Sequence, residues 1–133
     1  MSKKILFFSF LIFLSGCVSF ETKVAELQKN AKLEDYGTPP PDNYLDFEKE
    51  ILKASLVDPD SALFRNNTEP YRCAFAPTLF SSTPVLGWCS TIEMNAKNRM
   101  GGYMGYHTYR FTWLNGKISD PRAIEFQLSY YLR

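Results

Sequence analysis

The chain has 133 residues, with 15 lysines and arginines against 14 aspartates and glutamates, and a single histidine. That length suits one domain, and the near-neutral charge excludes the basic stripe of a nucleic-acid binder. One histidine and three cysteines with no Cys-x-x-Cys spacing offer no metal cluster, and no cofactor is expected.

Lys3 and Lys4 precede an apolar run over residues 5–14, interrupted only by Ser9. A membrane-spanning helix needs about 20 apolar residues, so this shorter run reads as the hydrophobic region of an export signal. Ser15 and Gly16 then place small residues before Cys17. Leu14-Ser15-Gly16-Cys17, in that order behind the charged and apolar regions, resembles the bacterial lipoprotein signal. The resemblance implies a signal peptide over residues 1–16, a diacylglyceryl thioether on Cys17, and acylation of the new amine. The membrane is then a partner through the lipid anchor. Val18 and Ser19 follow the cysteine, where aspartate would favour the inner membrane. The resemblance therefore implies the outer membrane, with the domain facing the periplasm; the inner membrane and the cell surface are the alternatives. An ordinary signal peptide with an incidental Cys17 is the alternative.

Cleavage removes Lys3 and Lys4 and tips the charge balance slightly acidic. With Cys17 lipidated, Cys73 and Cys89 remain. In an oxidising compartment that even remainder predicts a disulfide, contributing about 3 kcal/mol by restricting the unfolded chain. Two free buried thiols are the competing reading.

Residues 17–41 read as a lipidated tether. Phe20, Val24 and Leu27 make one weak helical face, and Gly37-Thr38-Pro39-Pro40-Pro41 excludes helix. The prolines predict a semi-rigid spacer that lifts a domain of residues 42–133 off the membrane. Asp42 predicts an N-cap. Tyr44, Phe47, Ile51 and Ala54, widened by Leu45, Leu52 and Leu56, give an amphipathic helix to lay on a core. Glu48, Lys49 and Lys53 fall toward the polar side. Pro59 ends that helix, and Asp58 can cap a new turn with Pro59 first in it.

The periodicity changes to two from Tyr71. Tyr71, Cys73 and Phe75 alternate with Arg72 and Ala74, and Leu86, Trp88, Ser90, Ile92 and Met94 with Cys89, Thr91 and Glu93. This predicts two antiparallel strands, stapled by the disulfide, around a loop at 77–84. A third strand is expected over 103–113, with a kink at Gly105. Asn115-Gly116 marks a hairpin and a short return. Ile124, Phe126, Leu128, Tyr130 and Leu132 alternate with Glu125, Gln127, Ser129 and Tyr131, which predicts a last strand; a terminal helix is the alternative. The expectation is α+β, an N-terminal amphipathic helix packed on a four- or five-stranded antiparallel sheet with one disulfide.

Residues 95–109 form the most unusual run. Together with Asp58-Pro59-Asp60-Ser61-Ala62-Leu63-Phe64-Arg65 and Cys89, they resemble a family of small bacterial exported proteins. Those share DPDSA-x-FR followed by a cysteine and NAKN-x-x-GGY-x-G. The resemblance covers roughly residues 44–110, with a slightly longer spacing from Cys89 to Asn95. It implies a domain and no assigned chemistry. Gly101 and Gly102 permit positive φ, and the asparagines suit turns. One reading is a demanding turn with packed aromatics. The other is a shallow binding surface of Asn95, Lys97, Asn98, Arg99, Gly101 and Gly102, with Tyr103, Tyr106 and Tyr109 as stacking platforms.

His107 has no evident nucleophile beside it, and no pair of carboxylates is positioned for glycoside hydrolysis. An enzyme acting on cell wall or lipid is therefore the weakest function class. A non-catalytic envelope lipoprotein binding a protein or glycan partner leads. An inhibitor or exclusion factor against a hydrolase, toxin or phage receptor is the alternative.

Overall fold

The computed structural model describes residues 18–131. The expected signal peptide, Cys17 and Leu132 lie outside the described residues. The elements are helices α1 (Phe20–Lys29), α2 (Tyr44–Ala54) and α3 (Pro121–Tyr131), and strands β1 (Leu63–Arg65), β2 (Tyr71–Phe75), β3 (Val85–Asn95), β4 (His107–Leu114) and β5 (Lys117–Ile118). The class is α+β with an antiparallel sheet, as the two periodicities anticipate.

The long strand β3 organises the sheet. Along one edge its first half pairs with β2, from Phe75↔Val85 to Tyr71↔Cys89, and its last residues pair with β1. Its other edge pairs with β4, which hands over to β5. Trp88, Ser90, Ile92 and Met94 share one face with Tyr109, Phe111 and Trp113, because Ser90↔Phe111 and Ile92↔Tyr109 are opposite one another. Leu52 and Leu56 of the α2 region and Ile124 and Leu128 of α3 complete this core. The β4–β5 turn places both Asn115 and Gly116 at positive φ, which suits a two-residue hairpin loop.

Cys73 and Cys89 form the expected disulfide, with Cα atoms 5.9 Å apart. Cys73 stands opposite Gly87 and Cys89 opposite Tyr71, so the bridge runs diagonally between β2 and β3. It packs with Phe75 in a second, smaller cluster.

Five local expectations are corrected. The C-terminal segment is helix α3, not a strand. Ile124 and Leu128 are buried four residues apart, while Phe126 and Tyr130 point to solvent. Asp120 accepts the Arg122 N–H at 3.1 Å and Pro121 takes the first helical position, so Asp120-Pro121 starts the helix rather than merely breaking a strand. The helix also closes the open edge of β4. Gln127 accepts the Arg110 N–H at 3.0 Å and donates to the Arg110 carbonyl at 3.2 Å.

Helix α2 is rotated from the expected face. Phe47 is 44% exposed, and Glu48 is fully buried between Tyr44 and Leu52. Asn43, not Asp42, occupies the cap position, and no side chain caps the helix there. Strand β4 begins at His107, because residues 104–106 leave the sheet after an isolated Lys97↔Tyr103 bridge.

Residues 18–41 do not stand away from the domain as a spacer. Ser19 caps α1 by accepting the Thr22 N–H at 3.2 Å, and α1 packs on β2 and β3. A short 3-10 turn, Leu33–Tyr36, follows, with Tyr36 buried. Gly37 then passes so close to the β4–β5 hairpin that a Cβ would meet Asn115 Oδ1 at 2.3 Å. The Gly37 carbonyl accepts from Trp88 Nε1 at 3.2 Å, and the Thr38 carbonyl from Gly116 N–H at 3.0 Å. The prolines form a strap over the sheet's end, leading from α1 to α2.

Candidate functional site

The loop between β3 and β4 is built by its own backbone and two asparagine side chains. Asn98 N–H donates to the Gly102 carbonyl at 2.9 Å, and Asn98 Oδ1 accepts from Met100 N–H at 3.0 Å and Gly102 N–H at 3.1 Å. Asn98 is thus the loop's internal scaffold, in the local bonding that asparagine supplies in turns. Asn95 Oδ1 accepts from Gly105 N–H at 3.0 Å and closes the loop's base. Gly101 and Gly105 take positive φ, at 81° and 90°, and Gly102 does not.

A second tie joins the loop to the turn at residues 58–61. Ser61 is buried, donates to the Asp58 carbonyl at 2.7 Å, and accepts the Lys97 N–H at 3.1 Å. The DPDS turn therefore holds the NAKN loop by one hydroxyl. Asp58 flanks the 3-10 turn Pro59–Ser61 through its carbonyl; its side chain forms no cap bond, contrary to the expected cap.

The proposed binding residues separate into three groups. Lys97, Arg99, Gly101, Gly102 and Tyr103 share the loop, and Tyr103 is 47% exposed with the Lys97 ammonium 5.5 Å from its ring centroid. Tyr106 has one ring face covered by the Arg65 guanidinium at 3.7 Å. That guanidinium is held by Glu93 at 2.6 Å. The Arg65 hydrogen bond, joined by one from Asn66, holds the Glu93 carboxyl below its ordinary pKa. Tyr109 is 1% exposed and belongs to the core, so it is not the stacking platform expected from the sequence. Strand alternation from His107 turns it inward against Ile92.

The loop also walls a cleft of about 840 Å³ that residue patterns alone do not reveal. Lys97, Asn98, Arg99 and Met100 face Ser55 and Val57 beyond α2, and Glu125, Leu128 and Ser129 of α3. Val57 is 69% and Met100 93% exposed. The cleft exists only because residues 121–131 are helical. It joins apolar side chains to Lys97, Arg99 and Glu125, which suits a peptide or sugar face better than a small anion alone.

Glu48 is the other residue that the pattern concealed. Its carboxylate accepts from Ser90 Oγ, and Ser90 accepts from Trp113 Nε1 at 2.9 Å. Glu48 Oε2 has no hydrogen-bond partner among the described residues. Burial pushes the Glu48 carboxyl pKa up, against the opposing pull of the Ser90 and Trp113 donors. Glu48 is fully buried and belongs to the core. No group of three metal-binding side chains occurs among the described residues. Comparison with protein-family models, with curated proteins and with solved structures returns no match.

Proposed function

We propose that the protein is a lipid-anchored envelope lipoprotein of the outer membrane whose periplasmic domain is a non-catalytic binding module. The observation that carries this reading is Leu14-Ser15-Gly16-Cys17 behind Lys3, Lys4 and the apolar run. The Cys73–Cys89 bridge supports it, since a disulfide persists in an oxidising compartment and leaves Cys17 for the lipid. The binding surface is the β3–β4 loop and the cleft beside it, with Arg99, Tyr103 and Met100 offering charge and exposed apolar area to an envelope protein or glycan.

Growth with an alkyne-bearing fatty acid tests the anchor. The wild-type chain takes up label, and Cys17→Ala stays unlabelled and uncleaved; label on Cys17→Ala overturns the assignment. Affinity capture with the detergent-solubilised full chain tests the module. Arg99→Ala and Tyr103→Ala release the captured envelope protein or peptidoglycan. Unchanged capture by both variants moves the binding site elsewhere, and a single stoichiometric hydrolase turns the reading to inhibition.

A further inference from the structure

The proposed anchor at Cys17 is followed almost at once by ordered chain. Val18 and Ser19 are the only residues between it and α1, and Ser19 is already fixed by its cap bond to Thr22 and by accepting the Lys23 N–H at 3.1 Å. Three residues reach about 10 Å when fully extended. The headgroup layer on each side of a bilayer is about 5–8 Å thick. A lipid on Cys17 therefore holds the first turn of α1 at the headgroups. The prolines cannot lengthen this reach, because they lie beyond α1, strapped to the sheet.

Two apolar side chains are uncovered there, Val18 just before the helix at 53% and Phe20 at its first position at 37% exposed, with Glu21 and Thr22 completing a mixed first turn. One helical turn along, Lys23 Nζ donates to the Ser82 carbonyl at 3.3 Å, which places the β2–β3 loop beside α1. In this loop Ser81 N–H donates to the Thr78 carbonyl at 3.2 Å, closing a β-turn with Leu79 and Phe80 at its two central positions. Such positions normally carry glycine, proline, asparagine, aspartate or serine. Here Leu79 is 43% and Phe80 88% exposed. The turn is held in place, since Leu79 N–H donates to Asp120 Oδ2 at 3.2 Å. Isolated exposed apolar residues are ordinary on a protein surface. A phenyl presented on a pinned turn, in a loop tied to a helix start whose Val18 and Phe20 a short link holds at the membrane, has a surface to enter.

We infer that the protein docks on the bilayer through an apolar rim of Val18, Phe20, Leu79 and Phe80 beside its lipid attachment. This inference rests on the proposed lipidation of Cys17. The rim enters the boundary between headgroups and acyl chains, and Lys23, set between its two halves, lies at the level of the lipid phosphates. The domain is oriented on the membrane rather than suspended from it. The cleft walled by Met100, Leu128 and Ser129 lies at the other end of α3 from Asp120 and the rim, and stays open to the periplasm.

The test uses the full chain, metabolically labelled with the alkyne fatty acid and reconstituted in phosphatidylethanolamine–phosphatidylglycerol vesicles with or without brominated acyl chains. Phe80→Trp reports on the rim and Met100→Trp on the cleft, each after subtraction of the wild-type signal from Trp88 and Trp113. The Phe80→Trp emission shifts to the blue and loses about half its intensity in brominated vesicles, as insertion to the acyl boundary requires. The Met100→Trp emission is unchanged. Labelled chain in which Phe80→Trp is quenched no more than Met100→Trp overturns the docking and leaves the anchor standing. Chain without fatty-acid label overturns the anchor, and the docking with it.

Discussion

Replacing Glu48 with glutamine isolates the cost of an acid in the core. The substitution keeps the side chain's shape and its acceptor for Ser90, removes the ability to ionise, and puts an amide nitrogen where Oε2 was. Burial raises the folded-state pKa from its ordinary 4.5. The folded protein therefore keeps a proton that the unfolded chain has released. Stability from this group is full below pH 4.5 and is lost as pH rises through the raised folded value. Each unit of elevation amounts to about 1.4 kcal/mol. The new amide nitrogen takes the place of Oε2, which has no partner, and costs about 1–3 kcal/mol at every pH. The diagnostic is accordingly the slope and not the absolute stability. Urea unfolding of the non-lipidated chain from residue 18, with the disulfide intact, is measured from pH 4 to pH 8. The difference in stability between variant and wild type shifts in favour of Glu48→Gln as pH rises. Glu93 and Asp120, whose carboxyls are held below their ordinary values chiefly by Arg65 and Arg122, act in the opposite sense but equally in both proteins. A difference that stays flat with pH refutes the account of an acid whose burial outweighs its hydrogen bonds.

Replacing both Cys73 and Cys89 with alanine removes a link between residues 16 positions apart. A loss of about 3 kcal/mol is expected in urea, and an unchanged midpoint contradicts the staple. Gly37→Ala forces a side chain into a positive-φ position and against Asn115; a loss of about 1–3 kcal/mol and faster amide exchange at Gly116 are expected, with unchanged exchange arguing against the strap. Gln127→Ala frees the Arg110 N–H and carbonyl at the β4 edge. It costs about 1–2 kcal/mol for the two bonds and promotes self-association visible in sedimentation; a stable monomer counts against edge protection.

The strands were the most legible part of the chain. Their alternation from Tyr71 to Met94 and the Asn115-Gly116 pair carry the sheet's pattern locally, because side chains on a strand face opposite sides regardless of what they meet. The C-terminal segment carried an equally regular alternation and folded otherwise. Ile124 and Leu128 satisfy a strand and a helix alike, and the choice fell to Asp120, Pro121 and the Arg110 edge that Gln127 covers. At the candidate site, Asn98 and the glycines announced a turn. The division between exposed Tyr103 and buried Tyr109 followed only from where β4 begins.

Composition and local pattern were enough for the class of fold and the turn between β4 and β5, and the pairing of Cys73 with Cys89 followed once the resemblance at residues 14–17 set Cys17 aside. The fold class and the turn depend on residue type and near neighbours in the chain. Three outcomes needed the assembled molecule. Glu48 is inside because Ser90 and Trp113, distant in sequence, converge on it with their hydrogen bonds. Residues 18–41 are bound because Trp88 and Gly116 offer donors to a chain that proline leaves with free carbonyls. The cleft beside Arg99 opened when a segment that alternates like a strand coiled into α3 and turned Leu128 toward the loop.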